Sequence, residues 1–121
     1  MKSLLVLAFS LCWLLAARAE QTEFTLVNKT GFDIAEVYVA PAGAEQWEDD
    51  VLGDSSLDDG EEATIRFDRK ETAEKWDLRI VDEDGKTIVW KSLNLLKIKK
   101  LTLFYRGRKA TSEAEEKTPV Q

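Results

Sequence analysis

Residues 76–90 read Trp-Asp-Leu-Arg-Ile-Val-Asp-Glu-Asp-Gly-Lys-Thr-Ile-Val-Trp, and no other stretch of the chain restricts the fold as tightly. Two arms alternate large apolar with polar residues around Asp82-Glu83-Asp84-Gly85, the pattern of a β-hairpin with one buried face. Two registers compete. A two-residue turn on Asp84-Gly85 would set Ile80 opposite Val89 and Trp90 opposite Arg79. A type I turn on Glu83-Asp84, with Gly85 as the left-handed bulge residue, shifts the pairing by one. Ile80 then faces Ile88, Leu78 faces Trp90 and Asp77 faces Lys91. Only this register keeps every large apolar side chain on one face, because a one-residue slip exchanges the faces. Trp76, Leu78, Ile80, Ile88 and Trp90 are therefore the expected core strip. Burial of each large side chain there contributes about 1.5–3 kcal/mol.

Shorter strands are expected on both sides of the hairpin. Residues 24–28 alternate, with Phe24 and Leu26 on one face. Asn28-Lys29-Thr30-Gly31 reads as a turn, and also matches the Asn-x-Thr glycosylation pattern. Residues 32–40 form a second strand, with Ala35, Val37 and Val39 on one face and Ile34, Glu36 and Tyr38 on the other; Pro41 ends it. Residues 63–67 form a third, with Ala63, Ile65 and Phe67 inward. Residues 71–75 could add one helical turn. Residues 91–97 read as a short strand or turn, and 101–105 as the last strand. Six to seven short strands with regular turn signals imply an all-β fold, an immunoglobulin-like or C2-like antiparallel β-sandwich, with a small barrel as the runner-up.

The N-terminus reads as an export leader. Lys2 gives a positive start, residues 4–15 are almost wholly apolar, and Ala17-Arg18-Ala19 places small residues where a signal peptidase reads. The run is too short for the ~20 residues of a membrane span. Cys12 lacks the small residues that a lipid-attachment site wants before it. Residues 1–19 are thus a signal peptide with cleavage before Glu20, and the product is periplasmic or secreted. Residues 20–105 form the β-sandwich domain. Beyond Tyr105 no apolar period survives, and residues 106–121 are expected to be a disordered charged tail.

Removal of Lys2 and Arg18 with the leader takes the net charge from −6 to −8. That balance argues against nucleic acid and anionic membrane surfaces. The chain has no His, and its one Cys lies in the leader. The mature chain therefore lacks a disulfide framework, a thiol nucleophile and a Ser-His-Asp triad. A domain stable without disulfides points toward a bacterial exported protein.

Two stretches remain as candidate sites. If successive strands run up and down, the 42–61 loop and the 82–85 turn emerge at one end of the sandwich. Asp49, Asp50 and Asp54 would then meet Asp82 and Asp84, with Asp58, Asp59 and Glu83 nearby. Calcium takes six to eight oxygen ligands, and loop carboxylates supply them. The plainer reading is turn chemistry and solubility, since no dedicated calcium-loop spacing is present. Trp47 is the second candidate, either as an exposed anchor for a protein or glycan partner or as a clip holding the loop, with Val51 and Leu52, against the body.

Asn28-Lys29-Thr30-Gly31, Val39-Ala40-Pro41, the block Trp47-Glu48-Asp49-Asp50-Val51-Leu52-Gly53-Asp54, Leu57 with Gly60-Glu61, and the block from Trp76 to Gly85 resemble a family of small exported bacterial β-sandwich proteins without a settled function. The resemblance covers residues 24–105. Some relatives carry cysteines before the second block and near Leu96; here Glu74, Lys75 and Leu96 stand there, so any disulfide the resemblance implies is absent. Chains of this kind sometimes carry an argininosuccinate lyase label, which belongs to long helical tetramers and finds no support in these residues. The resemblance brings no catalytic residues. The expectation is an exported, non-catalytic binding or interaction module without a cofactor. The alternative is a calcium-dependent adhesion or ligand-binding module, and a small hydrolase comes third.

Overall fold

The computed structural model describes residues 21–68 and 73–118. Among them are seven strands: β1 (Gln21–Lys29), β2 (Ile34–Pro41), β3 (Glu62–Asp68), β4 (Trp76–Asp82), β5 (Thr87–Leu93), β6 (Ile98–Arg106) and β7 (Lys109–Glu116), with a single 3-10 turn at Leu95–Lys97. They form two sheets, ordered β3-β1-β6-β7 and β2-β4-β5. The chain is an all-β sandwich. Its four-plus-three division is that of an immunoglobulin constant domain, but the strand order differs. The sheets are also not wholly antiparallel: β1 and β6 run parallel, while the other four pairings are antiparallel.

The core lies between the sheets. Phe24, Leu26, Ile65, Phe67, Leu101 and Leu103 come from the four-stranded sheet; Val37, Val39, Leu78, Ile80, Ile88 and Trp90 come from the other. Trp76 closes one flank, its ring edge-on to Phe67 at a centroid distance of 4.9 Å, and Phe67 meets Phe24 in the same way at 6.0 Å. Such offset aromatic contacts add to the burial of their large surfaces.

The β4–β5 hairpin adopts the bulged register, with Ile80 opposite Ile88 and Leu78 opposite Trp90. Gly85 has φ of +86°, where a side chain would be strained. Asp82 secures the turn: its Oδ1 accepts the N–H groups of Asp84 at 2.9 Å and Lys86 at 2.8 Å. Near the other end the expected Asp77–Lys91 pair is replaced by a second bulge, which puts Trp76 opposite Leu93. Ser92 takes φ of +59°, and its N–H donates to Asp77 Oδ1 at 2.9 Å. A bulge also corrects the expected faces of β2. The pairing shifts between Ile34 and Glu36, so Ile34 turns inward with Val37 and Val39.

The charged tail is corrected as well. Residues 106–109 are a tight hairpin turn, with Gly107 at φ +58° and Arg108 at +63°, and the chain returns as β7 along β6. β7 reads Lys-Ala-Thr-Ser-Glu-Ala-Glu-Glu and has no apolar face because it is an edge strand held by its ladder. The Trp90 indole N–H adds a bond to Thr111 O at 2.8 Å. The expected leader at 1–19 and residues 71–72 of the expected helical turn lie outside the described residues, and Ala73–Lys75 are not helical. Among the described residues no helix is long and apolar enough to cross a membrane.

Candidate functional site

The loop between β2 and β3 does not stay at one end of the sandwich. From Pro41 it doubles back along the open edge of β2. Asp50 Oδ1 accepts the Val37 N–H at 2.9 Å and the Leu52 N–H at 3.0 Å, and the Val51 N–H donates to Val37 O at 2.8 Å. Further along, Leu57 and Ile34 exchange two backbone hydrogen bonds of 2.9 Å each. Leu57 is buried, and Val51 and Leu52 pack against the core, as anchors of the loop should. An edge that would otherwise offer free N–H and C=O groups is thereby capped.

The far end of the loop is held by Asn28, which is fully buried. Its Nδ2 donates to Phe32 O and Leu57 O at 2.9 Å each, and its Oδ1 accepts from the Thr30 N–H at 3.0 Å and the Thr30 hydroxyl at 2.6 Å. The Asn28 amide is consumed by these bonds, which does not fit glycosylation of the folded chain. Sequence reading saw a turn here and missed the polar lock. The only local signal was an Asn two residues before a Thr.

The five carboxylates expected to meet at one end do not form one metal-holding group among the described residues. Asp49 and Asp50 lie beside the middle of β2, with Asp54 further along the loop, whereas Asp82 and Asp84 occupy the β4–β5 turn. The loop's reversal is the reason. Asp50 and Asp82 each spend one carboxylate oxygen on two backbone N–H groups. Among the described residues no group of three acidic side chains is placed to hold a metal ion.

Trp47 lies instead over the outer face of the three-stranded sheet. Tyr38 and Arg79 are cross-strand partners on β2 and β4, and their side chains leave the core by simple alternation. The Arg79 guanidinium carbon stands 4.4 Å from the Tyr38 ring centroid and 5.0 Å from that of Trp47. Trp47 is half-buried. Its ring lies against an arginine rather than an apolar patch. The Arg79 Nε is buried without a hydrogen-bond partner, and no hydrogen bond or ion pair joins the guanidinium to any described residue. The neighbouring Glu36 carboxylate is taken by the Tyr38 hydroxyl. That hydrogen bond, helped by burial and by the charges of Glu36 and Asp50, pushes the Tyr38 hydroxyl above the usual phenol range against the opposing pull of Arg79.

Around the edge from Trp47, a cavity of about 250 Å³ opens between the edges of β2 and β3. Val39, Phe67 and Trp76 line its apolar part, and Asp49, Asp50 and Asp68 its polar part. Trp76 is buried, and its indole N–H has no acceptor among the described residues. Arg66, also on the wall, is paired with Glu23 at 2.8 Å. The arrangement offers hydrogen-bond and stacking partners.

No family model and no curated protein matches the chain. Among solved structures, the fold is similar to the NMR structure of a protein from Eubacterium rectale, with a TM-score of 0.50 and 17% identity over 81% of this chain and 91% of that one. At that identity the likeness concerns the sandwich alone.

Proposed function

We propose that the protein is an exported, non-catalytic binding module whose contact surface is the outer face of the three-stranded sheet around Trp47. The leader-like residues 1–19 support a periplasmic or secreted location, in line with the resemblance to small exported β-sandwich proteins. The absence of His throughout, and of Cys outside the leader, supports a role without nucleophilic chemistry. The observation that carries the reading is the Tyr38–Arg79–Trp47 stack: two aromatic rings and a guanidinium with no acceptor in the described protein, on a sheet face outside the core. Trp, Tyr and Arg are the residue types that dominate binding hot spots, and here they are already ordered against one another. The partner is a protein or a glycan; the net negative charge disfavours nucleic acid.

Two measurements test this. N-terminal sequencing of the protein recovered outside the cytoplasm should begin at Glu20. Binding to glycan panels and to cross-linked partner proteins should fall by at least ~30-fold in Trp47→Ala, the loss of a hot spot worth about 2 kcal/mol. It should survive substitution of Lys99, an exposed residue on the other sheet. Equal binding by Trp47→Ala and the parent would remove this face from the function.

A further inference from the structure

We infer that Arg79 is the receptor for a ligand carboxylate, and that the ligand class is an acidic sugar, a uronate, seated against Trp47. This deepens the binding-module reading and rests on it. Arginine stays charged throughout the physiological range and carries five N–H donors in a rigid fork. Among the described residues no carboxylate hydrogen-bonds or ion-pairs with it. Two carboxylates on the same sheet face are committed elsewhere: Glu36 to the Tyr38 hydroxyl, and Asp77 to the N–H groups of Ser92 at 2.9 Å and Gly43 at 3.5 Å.

The two ends of the guanidinium differ. Nε is buried and unpaired, while the terminal nitrogens, which have no acceptor among the described residues, reach solvent. An arginine packed on aromatic rings by its flat faces keeps its in-plane edge for an acceptor. The group that fits that edge has two oxygens in one plane, and a carboxylate does so with two parallel hydrogen bonds. Charge narrows the class further. Asp50, bonded to the N–H of Val37 beside Tyr38, and Glu36, bonded to the Tyr38 hydroxyl, add negative charge to this face, and the chain as a whole is acidic. A single negative charge is tolerated where a phosphate dianion is not. A pyranose ring bearing that charge can also lay its C–H face on an indole, which uses the half-exposed Trp47.

The test is a titration of the purified protein with sodium galacturonate, with galactose, N-acetylglycine and inorganic phosphate as comparisons at constant ionic strength. The readouts are the Arg79 Nε–H resonance and tryptophan fluorescence. A saturable shift of both signals is expected with galacturonate through the millimolar range. Affinity should be at least about tenfold weaker for galactose, which lacks the charge-assisted pair. Arg79→Lys keeps the charge and loses the fork, and should also weaken binding by about tenfold or more. A thermal melt establishes that this variant is folded; if it is not, Trp47→Ala is the second variant and should lose the fluorescence response and weaken the sugar. A flat galacturonate titration would overturn the inference, as would equal binding by Arg79→Lys, by galactose, by phosphate or by N-acetylglycine. If galacturonate fails while a partner still requires Trp47, the ligand class is wrong and the contact face stands. If neither depends on the stack, both readings fall.

Discussion

On one side of the sandwich β5 lies against β7, and the Trp90 indole N–H donates to Thr111 O at 2.8 Å. On the other side the 42–61 loop stands between the edges of β2 and β3, a cavity of about 250 Å³ remains, and the Trp76 indole N–H meets no acceptor. Both tryptophans belong to one hairpin and both are buried. Strand-on-strand closure satisfies its polar groups at no cost in space. Loop closure depends on a few side chains, Asn28 and Asp50 above all, and leaves room and unspent donors beside it. The side closed by strands is built for stability, and under the proposed function the side closed by the loop carries the groups for recognition.

The sharpest way to break that comparison is to remove the β7 side. A chain ending at Arg108 loses the β6–β7 ladder and leaves the Trp90 N–H without its acceptor. Stability should fall by on the order of 4 kcal/mol or more, read as a collapse or loss of the cooperative thermal transition. An unchanged melt would mean that residues 109–118 behave as a free tail. On the loop side, Asn28→Ala removes two donors and an acceptor from a fully buried position. Leu57 O keeps the Ile34 N–H and Phe32 O keeps the Thr30 hydroxyl at 3.1 Å, but the Thr30 N–H loses its buried partner. The expected loss is about 2–4 kcal/mol by chemical denaturation. A loss below about 0.5 kcal/mol would show that the loop is anchored by its apolar residues alone.

The third test compares the two sides directly. Trp90→Phe and Trp76→Phe each remove similar ring volume from a buried site. Only the first breaks a hydrogen bond, and only the second relieves an unpaired buried donor. Trp90→Phe should therefore be the more destabilising by about 1–2 kcal/mol. Equal losses would mean that the Trp76 N–H finds an acceptor in solution, a water or ligand in the cavity.

What the sequence disclosed follows from the range of the interactions involved. The hairpin register at residues 76–90 was legible because alternation and turn chemistry are local, and both pointed to Gly85 as the bulge residue. β7 was illegible because an edge strand needs a ladder and no apolar period, so Lys-Ala-Thr-Ser-Glu-Ala-Glu-Glu looks like a solvated tail. Ile34 was assigned to the wrong face because a bulge at Ala35 is a property of the pairing. The lock at Asn28 depends on Leu57 O, which is far away in sequence. Trp47 stood out in the sequence as a loop aromatic, but its neighbour Arg79 could be identified only once β2 and β4 were paired. The calcium set was drawn from a loop assumed to stay at one end, and the reversal of that loop along β2 separates Asp50 from Asp82.

The smallest expected effect lies where the loop rejoins β3. Asp58 is exposed, and the charges of Asp33 first and Glu61 second, with slight burial, raise its carboxyl above the ordinary 3.8. A raised carboxyl in the folded state means that folding favours the protonated form, so ionised Asp58 opposes the fold at neutral pH. Its contribution to stability should improve as the pH falls through the raised value toward the ordinary one, and level off below both. Asp58→Asn should therefore melt slightly above the parent at pH 7, and the gap should close below about pH 3.8, where the parent carboxyl is also neutral. Salt should narrow the gap at pH 7, because repulsion between exposed carboxylates is screened. Comparing variant with parent at each pH cancels the titration of the other acidic groups. A variant that melts below the parent at pH 7 would mean that the Asp58 carboxylate does more for the Gly60 turn than its neighbours' charges take away.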